Sequence, residues 1–80
     1  MAVGENPTAT VDAKGLVCPM PILKAKKGID SVEAGQILEL FATDPGSMAD
    51  FRAWTKSTGH ELIEAKEASG VYKYLIRRKK

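Results

Sequence analysis

Cysteine is almost missing from this sequence: Cys18 is the only one in 80 residues. One thiol closes no internal disulfide, which suits a reducing compartment. Histidine is equally scarce, with His60 alone, so cysteine and histidine do not occur at zinc-ligand spacing and no metal site is expected. A serine–histidine–acid set and a phosphate-binding glycine loop are also lacking. No stretch reads as a signal peptide or a membrane span. A cytoplasmic protein without membrane contact is therefore expected. The net charge of +2 is too small to argue for nucleic acid. There is no internal repeat, linker or low-complexity segment.

What is present is one small domain. A chain of this length buries roughly 60% of its unfolded surface, so little room remains for an interior substrate pocket. Function is expected at the surface or in a partner's site. Residues 1–8 read as a flexible arm and residues 9–80 as a single domain. Ala9, Val11 and Ala13 alternate with Thr10 and Asp12, which predicts a strand. Ile22, Leu23, Ala25, Lys26, Ile29 and Val32 recur at helical spacing and predict a helix over 19–32. Gly28 is expected to weaken it by up to ~1 kcal/mol relative to alanine. Residues 36–43 read as a central strand. Ser47 is the expected N-cap of a second helix over 47–58, with Asp50 three residues on and Gly59 as its stop. Met48, Phe51, Trp54 and Thr58 trace its apolar stripe. Residues 60–67 and 71–78 read as strands joined by a hairpin at 68–70. The order βαβαββ predicts an α+β fold: a two-layer α/β sandwich with both helices on one face of a four-stranded mixed sheet.

Proline is confined to four positions, two of which flank Met20 in Cys18-Pro19-Met20-Pro21. Proline is tolerated in a helix's first turn, where its missing N–H has no partner to lose. Cys18 therefore stands just before a helix, where the unpaired N–H groups and the helix dipole favour an anion such as a thiolate. Pro19 and Pro21 would stiffen this entrance and hold the sulfur outward. Met20 between them is expected to be exposed, as an apolar contact for a partner. The alternative for Cys18 is a small buried hydrophobe, the commoner fate of a free cysteine, and the residues alone leave both open.

Two basic clusters stand out: Lys24, Lys26 and Lys27 after the cysteine, and Arg77, Arg78, Lys79 and Lys80 at the end of the chain. They read either as solvated patches or as a positive face toward an acidic protein or RNA.

Cys18-Pro19-Met20-Pro21 resembles the CPxP motif of the TusA/SirA-type sulfur carrier family. Asp12, Gly15 and Leu16 resemble the approach to that motif. Asp44-Pro45 resembles the family's element before its second helix, Gly59-His60-Glu61-Leu62 its third-strand opening, and residues 72–78 its last strand. The resemblance implies a sulfurtransferase that carries sulfane sulfur as a persulfide on Cys18, with no other cofactor. It implies a sulfur-donor protein (a cysteine desulfurase or rhodanese) and an acceptor relay protein. Thiolation of tRNA and a sulfur-oxidation relay are the implied destinations. Lys24, Lys26 and Lys27, with Arg77 and Arg78, are the expected docking contacts. Met20 stands where the family can carry an acidic residue.

Two other readings come from different classes. One is a non-catalytic regulatory module. The other is an RNA-interaction module of the same fold, in which Tyr72 and Tyr74 would stack on bases. Core or sheet packing is the competing role for both tyrosines. His60 is expected to serve as a structural hydrogen-bonding residue, Asp44 as a turn or capping residue, and Phe51 and Trp54 as core.

Overall fold

Period-two alternation and two apolar helical stripes build the architecture. The computed structural model describes residues 7–17 and 19–80. The elements are β1 (Ala9–Ala13), α1 (Met20–Asp30), β2 (Ile37–Ala42), α2 (Ser47–Thr58), β3 (Glu61–Ala68) and β4 (Val71–Arg77). The sheet order is β1-β2-β4-β3. β1 runs parallel to β2, while β4 is antiparallel to both β2 and β3. The predicted βαβαββ sandwich is the observed fold. The arm expected over residues 1–8 falls, apart from residues 7 and 8, outside the described residues.

The sheet's helix-facing side carries Val11, Leu38, Leu40, Ala42, Tyr74 and Ile76, which pack with Ala25, Ile29 and Phe51 from the helices. Phe51 stacks on Tyr74 with ring centroids 4.5 Å apart. Burying one such ring contributes about 1.5–3 kcal/mol. Trp54 packs edge-on against Phe51, at the margin of this core.

The structure corrects three local expectations. Gly28 is no weak point in α1. It is buried, and a Cβ there would lie 2.8 Å from Val11 Cγ2 and 3.0 Å from Leu38 Cδ1. Glycine is what lets the helix axis approach the sheet so closely. Leu23, expected on the apolar stripe, is 50% exposed. The buried side of α1 is instead Pro21, Ala25, Gly28 and Ile29. Ser47 is not the N-cap of α2 either. Gly46 holds that position, and no side chain caps it. The Ser47 hydroxyl is buried and shares a 2.6 Å hydrogen bond with the Tyr74 hydroxyl. Burial pushes that phenol up from its ordinary pKa of 10.0, so the pair is a neutral bond inside the core.

Gly59 ends α2 in the left-handed conformation, at φ 84°, with its N–H on the Thr55 carbonyl. The β3–β4 hairpin turns on Ser69 and Gly70, both at positive φ, as in a two-residue primed turn.

Candidate functional site

Because β1 and β2 are parallel, both helices start at the same end of the sheet. α1 follows the end of β1 and α2 follows the end of β2, where Ala13 is paired with Ala42. Each helix N-terminus carries roughly half a positive charge. Lys14 adds a cation at this end, with its Nζ 5.8 Å from the centroid of the Phe41 ring.

The segment between β1 and α1 is tied down by backbone hydrogen bonds. Lys14 N–H donates to Asp12 Oδ1 at 3.0 Å. Gly15, at φ +83°, donates its N–H to Thr43 Oγ1 at 2.9 Å. Leu16 N–H reaches the Ala13 carbonyl at 3.2 Å, and Met20 N–H the Val17 carbonyl at 2.8 Å. Pro19 is the N-cap residue of α1, and its carbonyl accepts from Leu23 N–H at 3.1 Å. Cys18, the expected catalytic residue, lies outside the described residues, between the described Val17 and Pro19.

The two prolines have different surroundings. Pro21 is fully buried under α1, while Pro19 is exposed. Pro21 therefore fixes the first turn against the core. Val17 is 67% exposed, Met20 41% and Leu23 50%, and these three are the exposed large hydrophobic residues among those described. All three fall within a stretch of seven residues that includes Cys18. Met20 is exposed, as expected. Val17 and Leu23 are exposed as well, Leu23 against its place in the apolar stripe.

The lysines divide. Lys24 and Lys27 line one groove with Thr10, Val11, Asp12, Gly28 and Ser31. Lys26 is exposed and, two residues from Lys24, lies on a different face of the helix. The arginines are elsewhere. Arg77 is paired in register with Ile37, at the opposite end of the sheet from Ala13, and its guanidinium lies 3.2 Å from Glu61 Oε1. Arg78 donates to the carbonyls of Ile29 and Val32, at the C-terminal end of α1. It caps the far end of the helix that Cys18 precedes. The structure thus brings Lys24 and Lys27 together along one groove, with Lys27 in the last turn of α1, and leaves Arg77 and Arg78 outside that groove.

His60 accepts the Lys79 backbone N–H on Nδ1 at 3.1 Å and packs against Trp54. This is the structural role expected of it. Asp44 occupies the turn before α2, where its carbonyl accepts from Ser47 N–H at 3.0 Å. Thr43 is the positioning residue that the sequence did not reveal, because its partner Gly15 is 28 residues away. Among the described residues no group of three or more His, Cys, Asp or Glu could hold a metal ion. No helix there is long and apolar enough to cross a membrane.

Comparison with known proteins agrees with this geometry. The family model described as sulfurtransferase TusA matches residues 9–78. The sulfur carrier protein TusA of Allochromatium vinosum is 52% identical over 68 residues, covering 85% of this chain and 90% of that protein. The sulfur carrier protein TusA of Pseudomonas putida is 38% identical over 74 residues, covering 92% of each. The crystal structure of a SirA-like protein from Desulfitobacterium hafniense superposes with a TM-score of 0.77 at 27% identity, covering 90% of this chain and 99% of that one. With the fold and this extent of similarity in agreement, the chain belongs to the sulfurtransferase TusA family.

Proposed function

We propose that this protein is a sulfur carrier that holds sulfane sulfur as a persulfide on Cys18 and relays it between partner proteins. The observation that carries the reading is the exposure of Val17, Met20 and Leu23, an apolar collar that flanks the chain's sole cysteine in sequence, in a member of this family. Exposed apolar side chains gathered at one place mark a surface that meets another protein.

The transfer balances without an added oxidant. The Cys18 thiolate attacks the outer sulfur of a donor persulfide. The donor's S–S bond breaks, its cysteine leaves as thiolate, and a persulfide forms on Cys18. An acceptor thiolate then attacks the outer sulfur and expels the Cys18 thiolate. Attack on the inner sulfur would instead release sulfide and leave a mixed disulfide. There is no second cysteine in the chain to intervene, so docking decides which sulfur is reached. The unpaired N–H groups and dipole at the start of α1 support both anions, the thiolate and the persulfide. Val17, Met20 and Leu23 supply the apolar contact, and Lys24, the first basic residue after Cys18, a basic one.

The donor is a protein persulfide of the cysteine desulfurase or rhodanese type, and the acceptor is a relay protein's thiol. The same step serves tRNA thiolation or a sulfur-oxidation relay, according to the acceptor. A cytoplasmic, reducing setting suits a lone free thiol. The RNA-interaction reading loses its aromatic platform. Tyr74 is fully buried against Ser47 and Phe51, and Tyr72 stacks parallel to it.

Intact-mass measurement after incubation with a cysteine desulfurase and cysteine tests the reading. A gain of one sulfur atom, removed by reductant and absent in Cys18→Ser, is expected. An adduct that persists in Cys18→Ser, or none in the wild type, overturns it.

A further inference from the structure

Each edge of the sheet offers unpaired backbone groups, and the two edges differ. The β3 edge carries a bulge between Leu62 and Glu64 and is rich in charge, with Glu64 held between Lys73 at 3.4 Å and Lys66 at 3.7 Å. Bulges and charged side chains guard an edge against pairing. The β1 edge has neither a bulge nor a proline, and Asp12 is its one charge.

The ladder shows which β1 groups are free. Arg78 N–H donates to the Gln36 carbonyl, so even-numbered β2 residues direct their backbone groups at β4. Odd-numbered ones face β1; the Ile37 carbonyl also receives the N–H of Thr8, which lies outside the regular strand, at 2.7 Å. Ala9, Val11 and Ala13 stand in register with Leu38, Leu40 and Ala42, and in a parallel ladder they bond the odd-numbered residues on either side of those partners. The N–H and C=O groups of Thr10 and Asp12 face outward.

Beside these groups runs a groove of about 360 Å³, lined by Thr10, Val11, Asp12, Lys24, Lys27 and Ser31, with Gly28 in its wall. Lys24, Lys27, Gly28 and Ser31 recur at helical i, i+3, i+4, i+7 spacing, so one stripe of α1 overhangs the edge. Among the described residues neither lysine is ion-paired.

We infer that the β1 edge is a second docking surface, which accepts an extended acidic segment of a partner protein as an added strand. Main-chain hydrogen bonds to Thr10 and Asp12 would supply affinity, and the lysines would supply selection. Side chains on the helix side of an added strand recur every second residue, about 6.8 Å apart. Lys24 and Lys27 are about 4.5 Å apart along the helix axis, a difference that their flexible stems absorb. Carboxylates at alternate positions therefore meet both ammonium groups. The intervening side chains fall on the face that carries Asp12 and are best uncharged. A second copy of this chain is a poor occupant, because pairing two β1 edges brings two lysine pairs to one seam. The docking uses the fold and the two lysines and makes no use of Cys18.

The probe is a labelled peptide that alternates glutamate and threonine, titrated into the whole protein, with a lysine–threonine peptide as control. Saturable binding of the acidic peptide alone is expected, with slowed amide exchange at Thr10 and Asp12. Lys24→Glu/Lys27→Glu is expected to weaken it by about tenfold or more. Thr10→Pro, which removes an outward N–H and no ladder bond, should abolish it. Exchange in the wild-type protein keeps the test valid should the proline variant not fold. No binding, binding without protection of Thr10 and Asp12, or a dimer formed through β1 overturns the proposal. Sulfur loading measured on the wild-type protein separates this outcome from failure of the carrier reading.

Discussion

Gly15 N–H donates to Thr43 Oγ1 across 28 residues of sequence, at 2.9 Å. The bond joins the turn after β1 to the end of β2. It anchors the segment that leads to Cys18 against the rigid centre of the sheet. Thr43→Val removes the acceptor and keeps the shape. A typical hydrogen bond contributes about 1 kcal/mol, so the melting temperature should fall only modestly. The rate of sulfur loading on Cys18 should fall more, since the segment is no longer held. Thr43→Ser should restore the rate. Equal loss of stability and rate, or no rescue by serine, would count against a positioning role.

The Ser47–Tyr74 bond is a second long-range pair, and it is buried. Either Ser47→Ala or Tyr74→Phe leaves one hydroxyl unsatisfied in the core, at a cost of about 1–3 kcal/mol. The double variant leaves none and should cost less than the sum of the two. Urea unfolding of all four proteins gives the coupling directly. Additive losses would show that the bond contributes nothing beyond packing.

Gly28 invites a simple but misleading substitution. Alanine at a helix interior is ordinarily stabilising relative to glycine, by about 1 kcal/mol. Here the new Cβ would stand 2.8 Å from Val11 Cγ2. Overpacking of this kind typically costs about 1–3 kcal/mol, which outweighs the propensity gain. Gly28→Ala should therefore lower the unfolding midpoint, and Gly28→Ala/Val11→Ala should recover part of the loss. A stabilised single variant would mean that the helix moves away from the sheet freely.

These pairs show what a sequence can and cannot display. The strands and helices were legible because alternation at Ala9–Ala13 and the stripe through Phe51 are local patterns. Gly59 was legible because a helix stop depends on one residue's φ. Gly28 was not, because its neighbour Val11 lies on another element. Ser47 looked like a cap because its position allowed one, yet Tyr74, 27 residues on, claims its hydroxyl. Arg78 looked like a docking cation, but it caps the carbonyls of Ile29 and Val32. At the site, the motif was visible as four consecutive residues. The exposure of Leu23 was not, since it depends on which side of α1 the sheet meets, the one carrying Pro21, Ala25, Gly28 and Ile29.

His60 links stability to pH. Its folded-state pKa is lowered below the ordinary 6.5, first by burial and then by Arg78 and Lys80, against a smaller opposing effect of Asp30. Neutral His60 accepts the Lys79 N–H on Nδ1, which the protonated ring cannot do. A depressed folded-state pKa means that the unfolded chain binds the proton first. The contribution of His60 is thus fully present above pH 6.5 and is lost as pH falls through its folded value. Thermal unfolding of wild type and His60→Asn should converge as the pH is lowered from 7.5 to about 5. A constant gap between them would exclude the linkage.

The apolar collar gives the prediction closest to function. Leu23 is half exposed, so Leu23→Ser removes little from the core and should leave the melting temperature within about 1 °C of wild type. If the collar meets the donor, the same change removes apolar contact only in the complex. Losing a half-buried leucine contact there costs about 1 kcal/mol, or several-fold in KM for sulfur transfer from the donor. The maximal rate at saturating donor should change little, because the reacting sulfur atoms are untouched. Met20→Ser should act in the same direction, and the two together more strongly. A variant that lowers the maximal rate at unchanged KM would place Leu23 in the support of the Cys18 segment instead of in the contact surface.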